Sequence, residues 1–255
     1  MKKLLKYEFY YLRKTQKFTV FAGIFILFSI ISPLTAKYLQ EILAFVLNGQ
    51  DLGIPLPDPT VYTAYEQYIS DLYETIFFIV LFVSVSIFIR DKTKGLLLLV
   101  FSKPVNRTAY ILSKYVSFLS LLFVSTLIGY LLFTYYTYFL FDEVFFMKGL
   151  GMMALYFLYL AFISSVALFF STVSKSYLLA ILPTFGVYIL FSILTLFGTA
   201  PILEYFPGMI IANIAEIIRD VSTTSSIIWT VVVTLIITSG FLMGSVIKIK
   251  SIDVN

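Results

Sequence analysis

The 255-residue chain contains no cysteine and no histidine, and only 13% of its residues are charged. Without cysteine it can form no disulfide, no thiolate nucleophile and no thiol-ligated metal site. Without histidine it also lacks the commonest general base and metal ligand. No glycine is followed by lysine, so there is no G-x-x-x-x-G-K-[ST] loop to cradle nucleotide phosphates. Asp142-Glu143 is a lone acidic pair at a loop tip and offers no acid cluster for hydrolysis. If ATP drives this protein, another polypeptide supplies the motor.

Apolar surface is what the chain has in excess. Hydrophobic residues make up 60% of it and the mean hydropathy is +0.97. Soluble domains are nearer half apolar and about twice as charged. Six stretches free of charge approach the roughly 17–25 residues that cross a bilayer as a helix. They are 18–36, 75–89, 115–140, 149–171, 177–198 and 226–247. The pattern predicts an all-α membrane protein, a single transmembrane domain over 1–255 with six transmembrane helices. The first apolar run starts only at Phe18 and has no small-x-small site after it, which argues against a cleaved signal peptide.

With six spans the loops alternate between two faces. One face receives 1–17, 90–114, 172–176 and 248–255, with fifteen basic residues; the other holds only Lys37, Lys148 and Arg219. Acidic residues skew the opposite way, with Glu8, Asp91 and Asp253 on the basic side and eleven on the other. The positive-inside rule therefore puts both termini in the cytoplasm of a cell-membrane protein. The same rule, with anionic headgroups, accounts for the pI of about 9, and no nucleic-acid partner is expected. No charged residue falls inside the six stretches, so proton or sodium coupling through intramembrane carboxylates is not expected.

Residues 1–17 place Leu5, Phe9 and Leu12 on one helical stripe and Lys3, Lys6, Lys14 and Lys17 on another, which predicts an interfacial helix. After Pro33 an outer loop is expected to run to about Asp71, with Asp58-Pro59 starting an amphipathic helix inside it. That helix puts Tyr62, Tyr65, Ile69, Leu72 and Ile76 on one face. Between the last two spans, 199–225 is broken by Pro201 and Pro207-Gly208 into pieces too short to cross. In the second piece Ile210, Ile211, Ile214, Ile217, Ile218 and Val221 line one side, opposite Asn213, Glu216 and Asp220. Such pieces predict outer re-entrant helices packed against protein.

The stretch 90–114, RDKTKGLLLLVFSKPVNRTAYILSK, sits at a cytoplasmic turn between spans two and three. Leu96 to Phe101 is apolar, yet basic residues surround it. A greasy ridge in that position needs an apolar partner. Asp91 or Thr93 is expected to cap a short helix there, and Pro104 to end it.

The run Gly95 to Arg107, GLLLLVFSKPVNR, resembles the signature of type-2 ATP-binding-cassette (ABC) exporter permeases. That signature reads G-T-L-E-x-L-L-S-x-P-V-S-R, with a lysine about seven residues on. Gly95, Leu97, Ser102, Pro104, Val105, Arg107 and Lys114 match, and Leu99 fits the open position; Leu96, Leu98 and Asn106 stand where Thr, Glu and Ser are usual, and Val100 and Phe101 where Leu is. The opening KYEFYYLRK, with Glu8 and Arg13, is similar to the family's first helix. The resemblance implies a coupling helix, in the region 90–107, that seats in a groove of a separate ABC ATPase subunit. It implies ATPase-coupling roles for Asp91, Gly95, Leu96, Leu97, Leu99, Phe101, Pro104 and Arg107. It further implies two ATPase copies, a second permease protomer (same chain or different), and ATP and magnesium held by the partner, with no cofactor and no catalytic residue here. The cargo path would be neutral, aromatic and hydroxyl-lined, with Tyr130, Tyr135, Ser164 and Tyr188 as its candidates. Such a lining suits hydrophobic or amphipathic cargo, a peptide or antimicrobial first. The alternative is a membrane subunit that uses ATPase cycles for mechanical work or sensing.

Overall fold

The computed structural model describes residues 2–46, 58–102, 105–195, 203–219 and 224–251, with the side chains of all but Ala44, Leu98, Leu99, Leu203 and Thr224. The described residues are helical almost throughout, and six helices are long and apolar enough to cross a membrane.

Helix α1 (Lys2–Lys14) ends where Gln16 takes a left-handed φ of 55°, and α2 (Lys17–Val46) forms the first span. The loop expected after Pro33 is instead helix, which continues to Val46 with one non-helical residue, Tyr38. Proline deprives the Ser29 carbonyl of its usual donor. A membrane helix tolerates a proline, and here hydroxyls add bonds to carbonyls on either side of Ser29. Ser32 Oγ donates to Phe28 O at 2.6 Å, and Thr35 Oγ1 to Ile31 O at 3.0 Å.

Helix α3 (Val61–Asp71) begins one residue after Thr60, whose side chain and that of Thr63 form a reciprocal capping box. Asp58 is therefore not the cap, because the threonine pair satisfies two backbone donors at once. Tyr65, Ile69, Leu72 and Ile76 are buried as their spacing predicts, while Tyr62 stays exposed. A π turn (Leu72–Ile76) joins α3 to α4 (Phe77–Thr93), so the second span is one helical run of 33 residues. The π turn leaves the Leu72 carbonyl accessible to a second donor, and Tyr156 Oη donates to it at 2.7 Å.

The short α5 (Leu96–Phe101) precedes the third span, α6 (Arg107–Phe141), and the fourth, α7 (Phe146–Val173). The fifth span is α8 (Tyr177–Thr195) and the sixth is α10 (Thr224–Lys250). Between them lie two 3-10 turns and α9 (Ile210–Ile218). Ile210, Ile214 and Ile218 are buried, and so is Asn213, which was expected to face away. Its amide donates to Thr230 Oγ1 on α10 at 3.0 Å, which removes the cost of burying it. Pro201, Asp220 and Val221 lie outside the described residues.

Helix α7 is the centre of the bundle, packed against α4, α6, α8, α9 and α10. Its most apolar stretch is 72% buried, against 17% for α8 and α10, so those two spans carry the most uncovered apolar surface. Helix α2 packs along α6 and α3, where the Tyr68 and Phe133 rings stack at 4.1 Å.

Candidate functional site

The turn between the second and third spans is built by its glycine. At the end of α4 the Lys94 amide donates to Arg90 O (3.0 Å) and the Gly95 amide to Lys92 O (3.2 Å). Gly95 has φ +68°, a conformation that residues with a Cβ adopt only at a cost. Nothing lies within 4 Å of where its Cβ would be, so conformation alone selects glycine. The chain then enters α5. Leu97, Val100 and Phe101 rest half-buried against the core, and the Phe101 ring meets Tyr110 edge-on at 5.4 Å. Leu96 is half-buried but lies off that contact face. Pro104 lies outside the described residues, as does the side chain of Leu99.

Neither expected cap of α5 is one. Thr93 Oγ1 donates back to Arg90 O at 3.0 Å, and Asp91 points into the protein. Asn106 caps α6 instead, its Oδ1 accepting from the Thr108 amide (2.9 Å) and the Ala109 amide (3.3 Å). Asparagine and serine are both strong N-caps, which explains why Asn106 can stand at the signature's serine.

Beneath this hairpin lies a buried quartet of charges from three helices. Glu8 of α1, Arg90 and Asp91 of α4 and Lys114 of α6 have side chains only 1–5% exposed. Lys114 Nζ is 2.8 Å from Asp91 Oδ2 and 3.1 Å from Glu8 Oε1, at angles short of hydrogen bonds. Arg90 Nε donates to Asp91 Oδ1 at 2.5 Å, and Tyr110 Oη to Asp91 Oδ2 at 2.6 Å. The outer nitrogens of Arg90 have no hydrogen-bond acceptor among the described residues. Glu8 at 3.8 Å and the Tyr11 ring, 3.5 Å from the guanidinium carbon, offset their charge. Two cations and two anions sum to zero, the condition under which ions tolerate burial. The helices of spans two and three run past the charge-free stretches at this end and take in Arg90, Asp91 and Lys114.

The quartet also redraws α1. Its inward stripe is Leu4, Glu8, Tyr11 and Leu12, whereas Phe9, expected there, is exposed. Other cations tie the hairpin to the ends of neighbouring helices. Lys92 Nζ donates to Thr172 O on α7 at 2.8 Å, and an Arg107 Nη donates to Lys250 O on α10 at 2.9 Å. Both meet helix C-termini, where a positive charge is favoured.

The cargo-path candidates do not converge. Tyr130 is buried, donating to Phe146 O against Gly149, and Ser164 is buried with its hydroxyl on Leu160 O. Tyr135 is exposed on α6. Tyr188 joins an aromatic group with Tyr73, Phe77 and Phe78 of the second span, whereas the Tyr130 ring meets Phe146 and the Tyr135 ring meets Tyr136. The Tyr188 hydroxyl donates to Tyr73 Oη at 3.3 Å.

Six apolar helices and a clamped apolar hairpin define a multi-pass membrane protein of the plasma membrane, with a short apolar helix between spans two and three. The chain belongs to the ABC-2 family transporter proteins, whose family model matches residues 4–238. It is accordingly a permease-type membrane subunit, from a family whose ATPase is usually a separate protein. No curated protein and no solved structure matches the chain.

Proposed function

We propose that this chain is the transmembrane half of an ATP-driven exporter, in which α5 seats in a groove of a separate ABC ATPase and the charge quartet carries α5's displacement into the spans. The observation that carries the reading is the pairing of a half-buried six-residue apolar helix with a buried ionic clamp beside it. Leu97, Val100 and Phe101 hold α5 to its own bundle, which leaves Leu96 toward a partner. Gly95 and Arg107 shape and brace the turn, with Arg107 stacked 5.0 Å over Phe101. Pro104 and Leu99 keep the coupling roles that the signature implies. Asp91, buried below, acts as a positioning residue. It joins α4 to α6, so a push on α5 moves α1, α4 and α6 together.

Two such permeases, identical or different, would enclose the path with two ATPases beneath them. ATP and magnesium belong to the ATPase partners. The aromatic group at Tyr73, Phe77 and Tyr188 favours hydrophobic or amphipathic cargo, an amphipathic peptide first. The test is Leu96→Asp beside Gly95→Pro in the full complex, reading co-purified ATPase and ATP-dependent peptide accumulation in inverted vesicles. Both variants are expected to reach the membrane and to lose ATPase association or transport. Normal association and transport in both would refute the docking role. ATP hydrolysis without any cargo flux in the wild type would favour a mechanical or sensing subunit.

A further inference from the structure

Where α1 meets α2 and α6 there is a half-open cleft of about 560 Å³ that the coupling hairpin does not use. Leu12, Phe18, Leu121 and Val124 make it apolar, and Phe9 and Arg13 stand on its α1 side. Its two other polar residues are Thr19 and Ser120, and Ser120 spends its hydroxyl on Val116 O. Arg13 is exposed, and its guanidinium makes no ion pair or hydrogen bond among the described residues.

The charge beside this cleft is of one sign for a structural reason. Helix α1 carries Lys2, Lys3, Lys6, Arg13 and Lys14, and its only acid is Glu8. Glu8 is turned inward and consumed by Lys114 and Arg90. The exposed charges of α1 are therefore all positive. Lys6, Phe9 and Arg13, at i, i+3 and i+7, share the stripe that borders the cleft.

We propose that this cleft is a binding site for one anionic phospholipid, taken from the leaflet on which α1 lies. An acyl chain fills the apolar cleft while the headgroup phosphate meets Arg13, with Lys6 one step along the stripe. The apolar volume accounts for a chain, and the uncompensated cations account for a headgroup with net negative charge. A zwitterionic lipid offers the same chain without the charge, and free phosphate offers charge without the chain. The site stands independently of the exporter reading, because it requires only that α1 lie at a membrane surface.

The experiment is native mass spectrometry of the full-length chain, delipidated in detergent and titrated with phosphatidylglycerol, phosphatidylcholine or inorganic phosphate. One phosphatidylglycerol should bind in preference to phosphatidylcholine. Arg13→Gln should weaken it about fivefold, the value of one basic side chain near an anionic surface. Ser120→Trp, which fills the cleft and leaves every charge in place, should abolish the preferred binding while the thermal midpoint stays near wild type. If Ser120→Trp does not fold, Thr19→Trp fills the cleft from α2 and takes its place. Equal binding of both lipids, undiminished phosphatidylglycerol binding in the cleft-filled variant, or competition by inorganic phosphate at the lipid's own concentration would each overturn the proposal.

Discussion

Glu8→Gln removes one negative charge from a site that sums to zero and leaves Arg90 and Lys114 sharing Asp91 alone. The lost carboxylate lies 3.1 Å from Lys114 Nζ and 3.8 Å from Arg90 Nη2, and all three side chains are at most 5% exposed. Water therefore screens the change little, and an uncompensated buried cation costs about 3–5 kcal/mol. At about 2–4 °C per kcal/mol for a chain of this size, the thermal midpoint in detergent should fall by roughly 6–20 °C. Lys114→Met alone leaves the opposite imbalance and should cost a similar amount. In the double variant the Arg90–Asp91 pair remains, the charges again cancel, and most of the loss should return. The cycle is thus strongly non-additive, with a coupling of about 3 kcal/mol. The assay is scanning fluorimetry of all four proteins at one detergent concentration. A Glu8→Gln midpoint within about 2 °C of wild type, or two single losses that simply add, would refute the claim that the quartet is an electrostatic clamp.

Other perturbations discriminate equally. Arg219→Ala breaks an ion pair to Glu66 whose side chains are 63% and 40% exposed, so it should cost less than about 1 kcal/mol by the same fluorimetry. Gly149→Ala places a Cβ 2.5 Å from Tyr130 Oη and should cost about 1–3 kcal/mol, with partial recovery when Tyr130→Leu empties that space. Because the chain has no cysteine, single Ser102→Cys and Asp58→Cys variants report orientation. An impermeant thiol reagent on intact cells should label position 58 and spare position 102, and the reverse pattern would invert the topology.

Length and hydropathy made the six spans legible, because six charge-free apolar runs of that size exceed what one soluble core can bury. The ends of the spans were harder to read. Pro33 looked like a stop, but a membrane helix tolerates a proline, and α2 runs on to Val46. The outer tyrosine helix and the second span read as two pieces, because Glu66, Asp71 and Glu74 interrupt the hydropathy. In the fold those residues find partners, as when the Gln67 amide donates to Asp71 Oδ1 at 3.1 Å and Ser70 Oγ to Glu74 Oε1 at 3.1 Å, and the helix continues. The glycine-led hairpin was visible as a motif, whereas the quartet beneath it was not. Glu8, Asp91 and Lys114 are far apart in sequence, and pairing across helices leaves no local period. One signal was present all the same. Glu8 is the only acid in α1 and Asp91 the only acid between Arg90 and Lys114, each isolated among cations. The cargo-path candidates failed to converge for a related reason, since a tyrosine's type does not say which neighbour its hydroxyl will find.

The docking of α5 is the claim on which the functional account rests, and a photocrosslinking residue placed at Leu96 in native membranes tests it most directly. The account predicts a protein adduct that mass spectrometry identifies as a nucleotide-hydrolysing subunit, with a yield that changes when ATP is trapped. Crosslinking to lipid alone, with no such adduct in any nucleotide state, would contradict it.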